Sequence, residues 1–342
     1  MLEKPDLEDE RIIACLNDEY GVRAGAISFL PIGADRNTAV YRIAAGADQA
    51  YFFKLRGGVF EEASVSLPKY LSDQGIEQII PPLTTAAGQL WVTLDAYRVI
   101  LYPFVEGRNG YEVRLSDSHW RQFGTAVRRI RDVALPSSLL GRIPEETYTP
   151  RWREMVKGIL ASVEVERFAD PVAAELARFL RAKNEGIRDL VLRAERLALA
   201  LQARPRERVL CHSDLHAGNV LVDANDALYI VDWDDPVMAP KERDLMFVGG
   251  GQGFIGRTAQ EEETLFYEGY GRTEIDPVAL AYYRYERIVQ DIALFSEQIL
   301  ATDEGEDRVQ SLKYLMSNFL PNGTIEIAYR SDMTPRNRQS TD

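Results

Sequence analysis

The segment HSDLHAGNVLV, residues 212–222, carries side chains that could do chemistry in two different ways. His212 and His216 are four residues apart, and on a helix this spacing places both imidazoles on one face, as in H-E-x-x-H zinc sites. Alternatively, Asp214 is a catalytic carboxylate, and Asn219, five residues later, is an oxygen ligand for a hard cation. The two interpretations predict different enzymes.

The residues around this segment argue against zinc. Ser213 stands where the general-base glutamate of H-E-x-x-H would be, and Ala217-Gly218 leads directly into an apolar strand pattern. His119 is the one further histidine in the chain, so few ligands are left to complete a site. The sequence therefore favours the interpretation built on Asp214.

The patterns NVLV and ALYIVDW flank the turn sequence DAND and predict a β-hairpin. Antiparallel pairing about Asn225 places Asn219 opposite Val231, one residue before Asp232. The Asn219 amide and the Asp232 carboxylate then lie side by side, with Asp214 on the preceding loop. Two such oxygen ligands suit Mg²⁺, which can hold phosphates while Asp214 faces a hydroxyl. The alternative is that the three residues only cap turns and end a strand.

The elements on either side of this hairpin indicate two lobes of different character. The N-terminal part predicts helices over 6–20, capped by Asp6, and over 59–74, together with five strands in AISFLPI, TAVYRIA, AYFFKLR, QLWVTL and YRVILYPFV. A turn at AGADQ and a linker at VEGRNG complete this part. The remainder is mainly helical, with a predicted helix over 116–134 that Ser116 caps, and further helices over 171–203, 259–270, 276–301 and 307–319. A cleft between the two lobes is a common ligand site.

The net charge of −13 argues against nucleic-acid binding, because a binder needs a basic surface to replace counterions. The charge is compatible with a cationic small-molecule acceptor, or with solubility alone. No apolar run is long enough to span a membrane, and the acidic start lacks the apolar core of a signal peptide. Cys15 and Cys211 suggest no disulfide framework. We expect a cytoplasmic monomer.

The stretch CHSDLHAGNVLV…YIVDWDDPVMAPKERDLMFVGGG resembles the aminoglycoside phosphotransferase family of antibiotic kinases, and more narrowly its spectinomycin phosphotransferase type. GADRNTAVYRI, YPFVEGRNG, YTPRWREMV and YYRYERIVQDIA are similar to it as well. The resemblance implies an α+β, bilobal, protein-kinase-like fold with a nucleotide-binding lobe over 1–105, a hinge near 102–107, a mainly α lobe over 106–330 and a disordered tail over 331–342. ATP or another nucleoside triphosphate would be the donor, with Mg²⁺ on Asn219 and Asp232 and Asp214 as the base.

Further residues of the N-terminal part match the kinase pattern. Lys54 ends the strand AYFFKL, where kinases keep the lysine that pairs with nucleotide phosphates, although strand ends often expose a lysine. The resemblance makes Glu62 its partner, although acidic residues also favour a first helical turn. The loop GADRNTAV would contact phosphates through its backbone and through Asn37 or Thr38, and as an ordinary hairpin it would look much the same.

YPFV resembles the interlobe hinge, where the Pro103 carbonyl and the Val105 N–H would hold adenine. The same stretch is also simply a fifth strand, and both interpretations can hold at once.

The acceptor would be an aminocyclitol or aminoglycoside antibiotic similar to spectinomycin, or alternatively choline, homoserine or a sugar. Acidic residues that could contact its protonated amines are Asp234, Asp235, Glu286 and Asp291. Arg284 and Arg287 lie close enough along the chain to neutralise the last two.

Three more features have structural interpretations. Asp244 is expected to tie the catalytic loop, and the resemblance suggests that His212 and His216 brace the same loop through hydrogen bonds. The glycine-rich GGGQG, residues 249–253, lacks the strand, helix and lysine of a phosphate loop, and we interpret it as a tight connection.

Overall fold

The N-terminal lobe of the computed structural model is built on the predicted five-stranded antiparallel sheet, in the order β1-β2-β3-β5-β4. Its elements are α1 (Asp9–Tyr20), β1 (Ala26–Leu30), β2 (Thr38–Ala45), β3 (Gln49–Arg56), α2 (Ala63–Asp73), β4 (Val92–Leu94) and β5 (Tyr97–Pro103). The structure describes residues 3–33, 35, 37–46, 49–204, 206–301 and 305–333. The predicted turn at AGADQ lies partly outside these residues.

Because side chains alternate along a strand, one face of the sheet packs in the core and the other faces the C-terminal lobe. Successive side chains of a strand point to opposite faces. Phe53 and Leu55 of β3 are fully buried in a core that includes Ile12 and Leu16 of α1. Lys54, between them, therefore points to the opposite face, toward the other lobe.

Both helices of this lobe begin later than predicted. The Leu7 N–H donates to the Pro5 carbonyl in a turn, so Asp6 precedes helix α1 and does not cap it. Helix α2 begins at Ala63 and not at 59, after an irregular segment that includes Gly58 at a φ of 67°.

The predicted linker VEGRNG is a strand instead. Residues Gly107–Asn109 form β6, which pairs with β8 (Val220–Asp223). A side chain at position 107 would bring its Cβ within 2.6 Å of the Val222 carbonyl oxygen, so glycine permits this close approach. The chain therefore passes from the hinge directly onto the predicted catalytic hairpin.

The C-terminal lobe is mainly helical, as predicted. Its helices are α3 (Asp117–Asp132), α4 (Ser137–Leu140), α5 (Arg151–Val165), α6 (Pro171–Gln202), α7 (Glu242–Leu245), α8 (Ala259–Tyr270), α9 (Pro277–Leu300), α10 (Glu306–Ser317) and α11 (Thr324–Met333). Its other strands are β7 (Val209–Cys211), β9 (Leu228–Ile230) and β10 (Val237–Ala239). The predicted cap Ser116 is confirmed, since its hydroxyl accepts the His119 N–H.

Helix α9 is the central element of this lobe and contacts α5, α6, α10 and α11. Ile292 and Ala293 on α9 are fully buried. Helix α11 continues through residue 333, so the first three residues of the predicted tail are helical, and the others lie outside the described part of the chain. Among the described residues, no helix combines the length and the apolarity that crossing a membrane requires.

Two glycines allow α3 and α8 to pack backbone against backbone. A Cβ on Gly124 would collide with the Phe266 carbonyl, and one on Gly269 would collide with the Arg121 carbonyl. We predict that Gly124→Ala lowers the free energy of unfolding by about 1–3 kcal/mol, because the helices must separate. Urea denaturation measures this change.

The matched control is Gly158→Ala on α5, where an added Cβ would meet no atom within 4 Å. This substitution should stabilise the protein by about 0.5–1 kcal/mol through helix propensity. Equal effects of the two substitutions would contradict the proposed packing.

Candidate active site

The catalytic hairpin has the register that the sequence predicts. Val220 of β8 pairs with Ile230 of β9, and the Val231 N–H donates to the Asn219 carbonyl at 3.0 Å. Asn219 ends a short 3₁₀ turn that directly precedes β8. Asn219 therefore lies opposite Val231, the residue directly before Asp232, as predicted from pairing about Asn225.

The loop before the hairpin is held by one buried carboxylate. The Asp244 oxygens accept the backbone N–H groups of His212 at 3.0 Å and of Ser213 at 2.7 Å. Burial raises the pKa of Asp244, and nearby His212 partly opposes this. Ser213 has a φ of 73°, a left-handed conformation that these bonds maintain. The predicted structural role of Asp244 is confirmed.

His212 braces the loop, as predicted. Its Nδ1 accepts the Asp214 backbone N–H at 3.3 Å, and its Nε2 lies 3.0 Å from the Val231 carbonyl oxygen. Since Nδ1 is an acceptor, Nε2 carries the proton. The ring also packs edge-on against Trp233.

His216 makes the corresponding contacts on the other side of the loop. Its Nδ1 accepts the Gly218 N–H at 3.0 Å and lies 3.0 Å from the Tyr111 hydroxyl. Its Nε2 lies 3.5 Å from Asp214 Oδ2. Both histidines therefore orient the loop and its carboxylate, and their roles are those predicted.

Asp214 projects from this loop with a partly exposed side chain. Burial opposes its ionisation, but the Arg287 guanidinium, together with His216, holds the pKa of Asp214 well below its ordinary value. Arg287 makes a short ion pair with Asp214 Oδ1 and a second one, at 2.9 Å, with Asp291. Asp214 is therefore an ionised acceptor that can take a hydrogen bond from an incoming hydroxyl.

Asn219 and Asp232 provide the oxygen donors that Mg²⁺ prefers. The Asn219 amide nitrogen donates to the Asp214 carbonyl at 2.8 Å, so the amide oxygen is directed away from Asp214. Asp232 has a φ of 67° and a side chain that is 48% exposed, which leaves its carboxylate accessible. The chemistry of these donors fits a divalent cation.

Lys54 crosses the cleft to the end of the hairpin. Its Nζ lies 3.0 Å from Asp232 and 2.6 Å from Asp234. Burial alone would lower the pKa of Lys54, but the two carboxylates outweigh it and raise the pKa above its ordinary value. The structure thus brings the predicted phosphate-binding lysine to the predicted metal-binding carboxylate.

The predicted pairing of Lys54 with Glu62 is not formed. Glu62 precedes the first residue of α2 and pairs with Arg142 of the other lobe at 2.5 Å. Lys54 instead has its charge balanced by Asp232 and Asp234. A role for Glu62 toward the nucleotide remains a prediction.

A second cation, Arg56, was missed in the sequence. It bonds to Asp234 at 2.7 Å, to Asp35 at 2.6 Å and to the Thr38 hydroxyl at 2.9 Å. The Asn37 N–H donates to the same Asp35 at 2.8 Å. Arg56 is two residues after Lys54 on β3. Because residues two apart on a strand point to the same face, this spacing could have indicated that Arg56 also faces the cleft.

The hinge residues lie beside an open cleft of about 640 Å³ on the N-terminal lobe, which Pro103 and Phe104 help to line. The Phe104 N–H donates to the Ala50 carbonyl at 3.1 Å. Because backbone groups alternate along a ladder, the Pro103 carbonyl is directed to the other edge of β5. This orientation leaves the Pro103 carbonyl available for the predicted adenine contact, and Val105 follows in the hinge.

Three of the four predicted acceptor residues have internal ion-pair partners. Asp234 bonds to Lys54 and Arg56, and Asp291 pairs with Arg287. Glu286 is only 5% exposed and faces Arg153 at 3.4 Å, and a contact between Glu286 and the acceptor remains a prediction.

Asp235, the fourth predicted acceptor residue, accepts the Ser213 hydroxyl through its backbone carbonyl at 2.6 Å. Burial, followed by Asp234, raises the pKa of the Asp235 side chain. A contact between this side chain and the acceptor remains a prediction.

The GGGQG segment is a tight connection, as predicted. Gly249, Gly251 and Gly253 all have positive φ values. The Gln252 carbonyl accepts the Ala217 N–H at 3.0 Å, so the connection supports the loop that carries Asp214.

A bilobal fold with a lysine facing the end of this hairpin is the arrangement expected of a phosphotransferase. The family of phosphotransferase enzymes abbreviated APH matches residues 28–283, more than half of the chain. The chain belongs to this family, as the sequence resemblance predicted. A comparison with curated proteins finds no match.

Solved structures extend the similarity over nearly the whole chain. Spectinomycin phosphotransferase, APH(9)-Ia, in complex with ADP and spectinomycin, is 36% identical, with a TM-score of 0.87 over 96% of this chain and 99% of that one. Its AMP-bound complex is also 36% identical, with a TM-score of 0.83 over 94% and 98%. Choline kinase LicA from Streptococcus pneumoniae is 18% identical, with a TM-score of 0.58 over 90% and 99%, and shares the fold.

The burial of Glu286 gives a testable pH dependence. Burial raises the pKa of Glu286 to about 7, against the opposing effect of Arg153. The pKa of Glu286 is about 4.3 in the unfolded chain and about 7 in the folded one. Between these two pH values the folded state binds a proton that the unfolded state does not. Glu286 therefore makes the free energy of unfolding fall as pH rises through this range. We predict that Glu286→Gln, which cannot titrate, gains up to about 3 kcal/mol relative to wild type across this window.

Urea denaturation at a series of pH values measures this difference. Glu268→Gln is the control, because the Glu268 side chain is 47% exposed in a surface pair with Arg121. Wild-type and Glu286→Gln stability curves that run parallel with pH would contradict the prediction.

Proposed function

We propose that this phosphotransferase transfers the γ-phosphoryl group of ATP to a hydroxyl of an aminocyclitol antibiotic similar to spectinomycin. The observation that carries the proposal is the 36% identity, over 96% of the chain, to an enzyme whose structure contains ADP and spectinomycin. The arrangement of Asp214, Asn219, Asp232 and Lys54 supports the same chemistry, because phosphoryl transfer needs a positioned hydroxyl and neutralised phosphate charge.

Each part of the site has a role in this proposal. Asp214, ionised beside Arg287, accepts a hydrogen bond from the attacking hydroxyl and takes its proton as the new P–O bond forms. The bond between the γ-phosphorus and the β,γ-bridging oxygen breaks in the same step, and ADP leaves. Lys54 neutralises charge on the phosphates. Asn219 and Asp232 would hold Mg²⁺, which would supply positive charge against the phosphates. The Pro103 carbonyl and the Val105 N–H would hold adenine at the hinge.

Positioning and electrostatics account for most of the acceleration in this mechanism. A phosphoryl-transfer transition state is loose, so a base such as Asp214 chiefly orients the nucleophile. The contacts to His216 and Arg287 fix its carboxylate before the acceptor arrives, and His212 holds its backbone N–H. An already oriented group requires little reorganisation during the reaction.

A kinase of the same fold acting on a cationic metabolite is the second candidate. Choline kinase LicA shares this fold, but at 18% identity the likeness carries no information on the acceptor.

An ATP-consumption screen separates the two candidates. The purified protein is assayed against spectinomycin, other aminocyclitols, aminoglycosides, choline, homoserine and simple sugars, with product phosphate confirmed by mass spectrometry. We expect strong turnover with spectinomycin or a close analogue. Turnover with a metabolite alone would overturn the antibiotic assignment and leave phosphotransfer in place.

The role of Asp214 gives a direct prediction. Asp214→Asn should lower kcat by about 10²–10⁴-fold, because the amide cannot accept the hydroxyl proton. The Kd of ATP should stay within about twofold, since Asp214 faces the acceptor and not the nucleotide. Steady-state kinetics and calorimetry measure the two quantities.

Asp73→Asn on α2 is the control, because Asp73 forms an exposed pair with Lys69. Near wild-type turnover of Asp214→Asn would show that Asp214 is not the base.

A further inference from the structure

Arg56 occupies a position that no role assigned so far explains. It ends β3, pairs across the sheet with Thr38 and Arg98, and lies on the same face as Lys54. Its side chain is 19% exposed and enters the cleft between the lobes. Burying a guanidinium is unfavourable unless several acceptors surround it, so its partners indicate what the position is built to bind.

The partners of Arg56 lie on both sides of the nucleotide cleft. Asp35 lies between β1 and β2, and Thr38 is the first residue of β2; both belong to the segment GADRNTAV that is predicted to contact phosphates. Asp234 follows the catalytic hairpin. Arg56 therefore meets that segment, the sheet and the hairpin at one point.

One carboxylate bridges the two cations of this cleft. Asp234 Oδ1 lies 2.6 Å from Lys54 Nζ, and Asp234 Oδ2 lies 2.7 Å from Arg56 Nη1. Lys54 and Arg56 are thus held at the separation that the two oxygens of one anion require. A phosphate group presents a pair of oxygens in a similar arrangement, and arginine binds carboxylate and phosphate through the same donors.

We propose that Arg56 is a second phosphate-binding cation, which acts with Lys54 on the nucleotide and exchanges Asp234 for phosphate oxygens when the nucleotide binds. This inference rests on the proposed function, because it assumes that the cleft binds a nucleoside triphosphate. It adds a nucleotide-binding residue to the site. It also predicts that the binding energy contributed by Arg56 depends on the number of phosphates.

The test compares adenosine, AMP, ADP and ATP at one fixed Mg²⁺ concentration by isothermal titration calorimetry. Arg56→Ala should raise the Kd of ADP and ATP by about 10- to 100-fold, as expected for the loss of charge-assisted hydrogen bonds. Adenosine should bind within about twofold of wild type, because it offers no phosphate. Arg56→Lys should show a smaller loss with the same dependence on phosphate number, since it keeps the charge and loses the planar fork.

Arg11→Ala is the matched control. Arg11 belongs to the same lobe and forms an ion pair with Asp95 at 2.7 Å, with half of its side chain exposed. This substitution removes one charge and one ion pair and should leave the whole series unchanged.

Three outcomes would contradict the inference. A loss of the same size for all four ligands, adenosine included, would show that Arg56 only ties the loop to the hairpin. Unchanged binding of ADP and ATP by Arg56→Ala would show that phosphates do not reach it. A loss with Arg11→Ala that matches the Arg56→Ala series would show that net charge alone is responsible.

Failure of the wild-type protein to bind ATP would overturn the proposed function itself. This result is distinguishable from a failure of the Arg56 inference, in which the wild-type protein still binds ATP.

Discussion

The carboxylate of Asp244, with the two backbone N–H groups that it accepts, is the interaction on which the active site depends. It is 4% exposed and fixes His212 and Ser213 through bonds of 3.0 and 2.7 Å. These bonds hold Ser213 in the left-handed conformation that directs Asp214 into the cleft. The Ser213 hydroxyl then bonds to the Asp235 carbonyl, which ties the entry of the catalytic hairpin to the chain that leaves it. Because this buried carboxylate accepts two backbone hydrogen bonds, the fold itself fixes the conformation of the loop.

Charged groups of the cleft form two clusters in which opposite charges are paired. Lys54 and Arg56 share Asp234 on the nucleotide side, and Arg287 lies between Asp214 and Asp291 on the acceptor side. A buried charge without a partner is costly, so these pairs keep the cleft stable before any ligand binds. In the proposed function the two clusters have separate roles, since the cations at the sheet would bind phosphates and Asp214 at the helical lobe would be the base.

The features that the sequence predicted correctly depend on local pattern. The register of the catalytic hairpin follows from strand alternation and one turn sequence, so its centre at Asn225 places Asn219 opposite Val231 with no knowledge of the rest of the fold. The cap at Ser116 is a local signal of the same kind.

The features that the sequence missed depend on partners far along the chain. Glu62 is 80 residues from Arg142, and Arg56 is 178 residues from Asp234, so neither pair has a local signature. Glu286 was a candidate for contact with the acceptor, with Arg284 or Arg287 as the alternative ion-pair partner, but it faces Arg153 of α5, more than a hundred residues away. The short strand β6 was missed since its partner, β8, lies more than a hundred residues later.

The most direct test of the central claim is a crystal structure with a non-hydrolysable ATP analogue, Mg²⁺ and spectinomycin. We predict that the cation lies between the Asn219 amide oxygen and the Asp232 carboxylate, and that an acceptor hydroxyl lies within hydrogen-bonding distance of Asp214 and in line with the terminal phosphate. A cation bound by other residues, or a terminal phosphate remote from Asp214, would contradict the account.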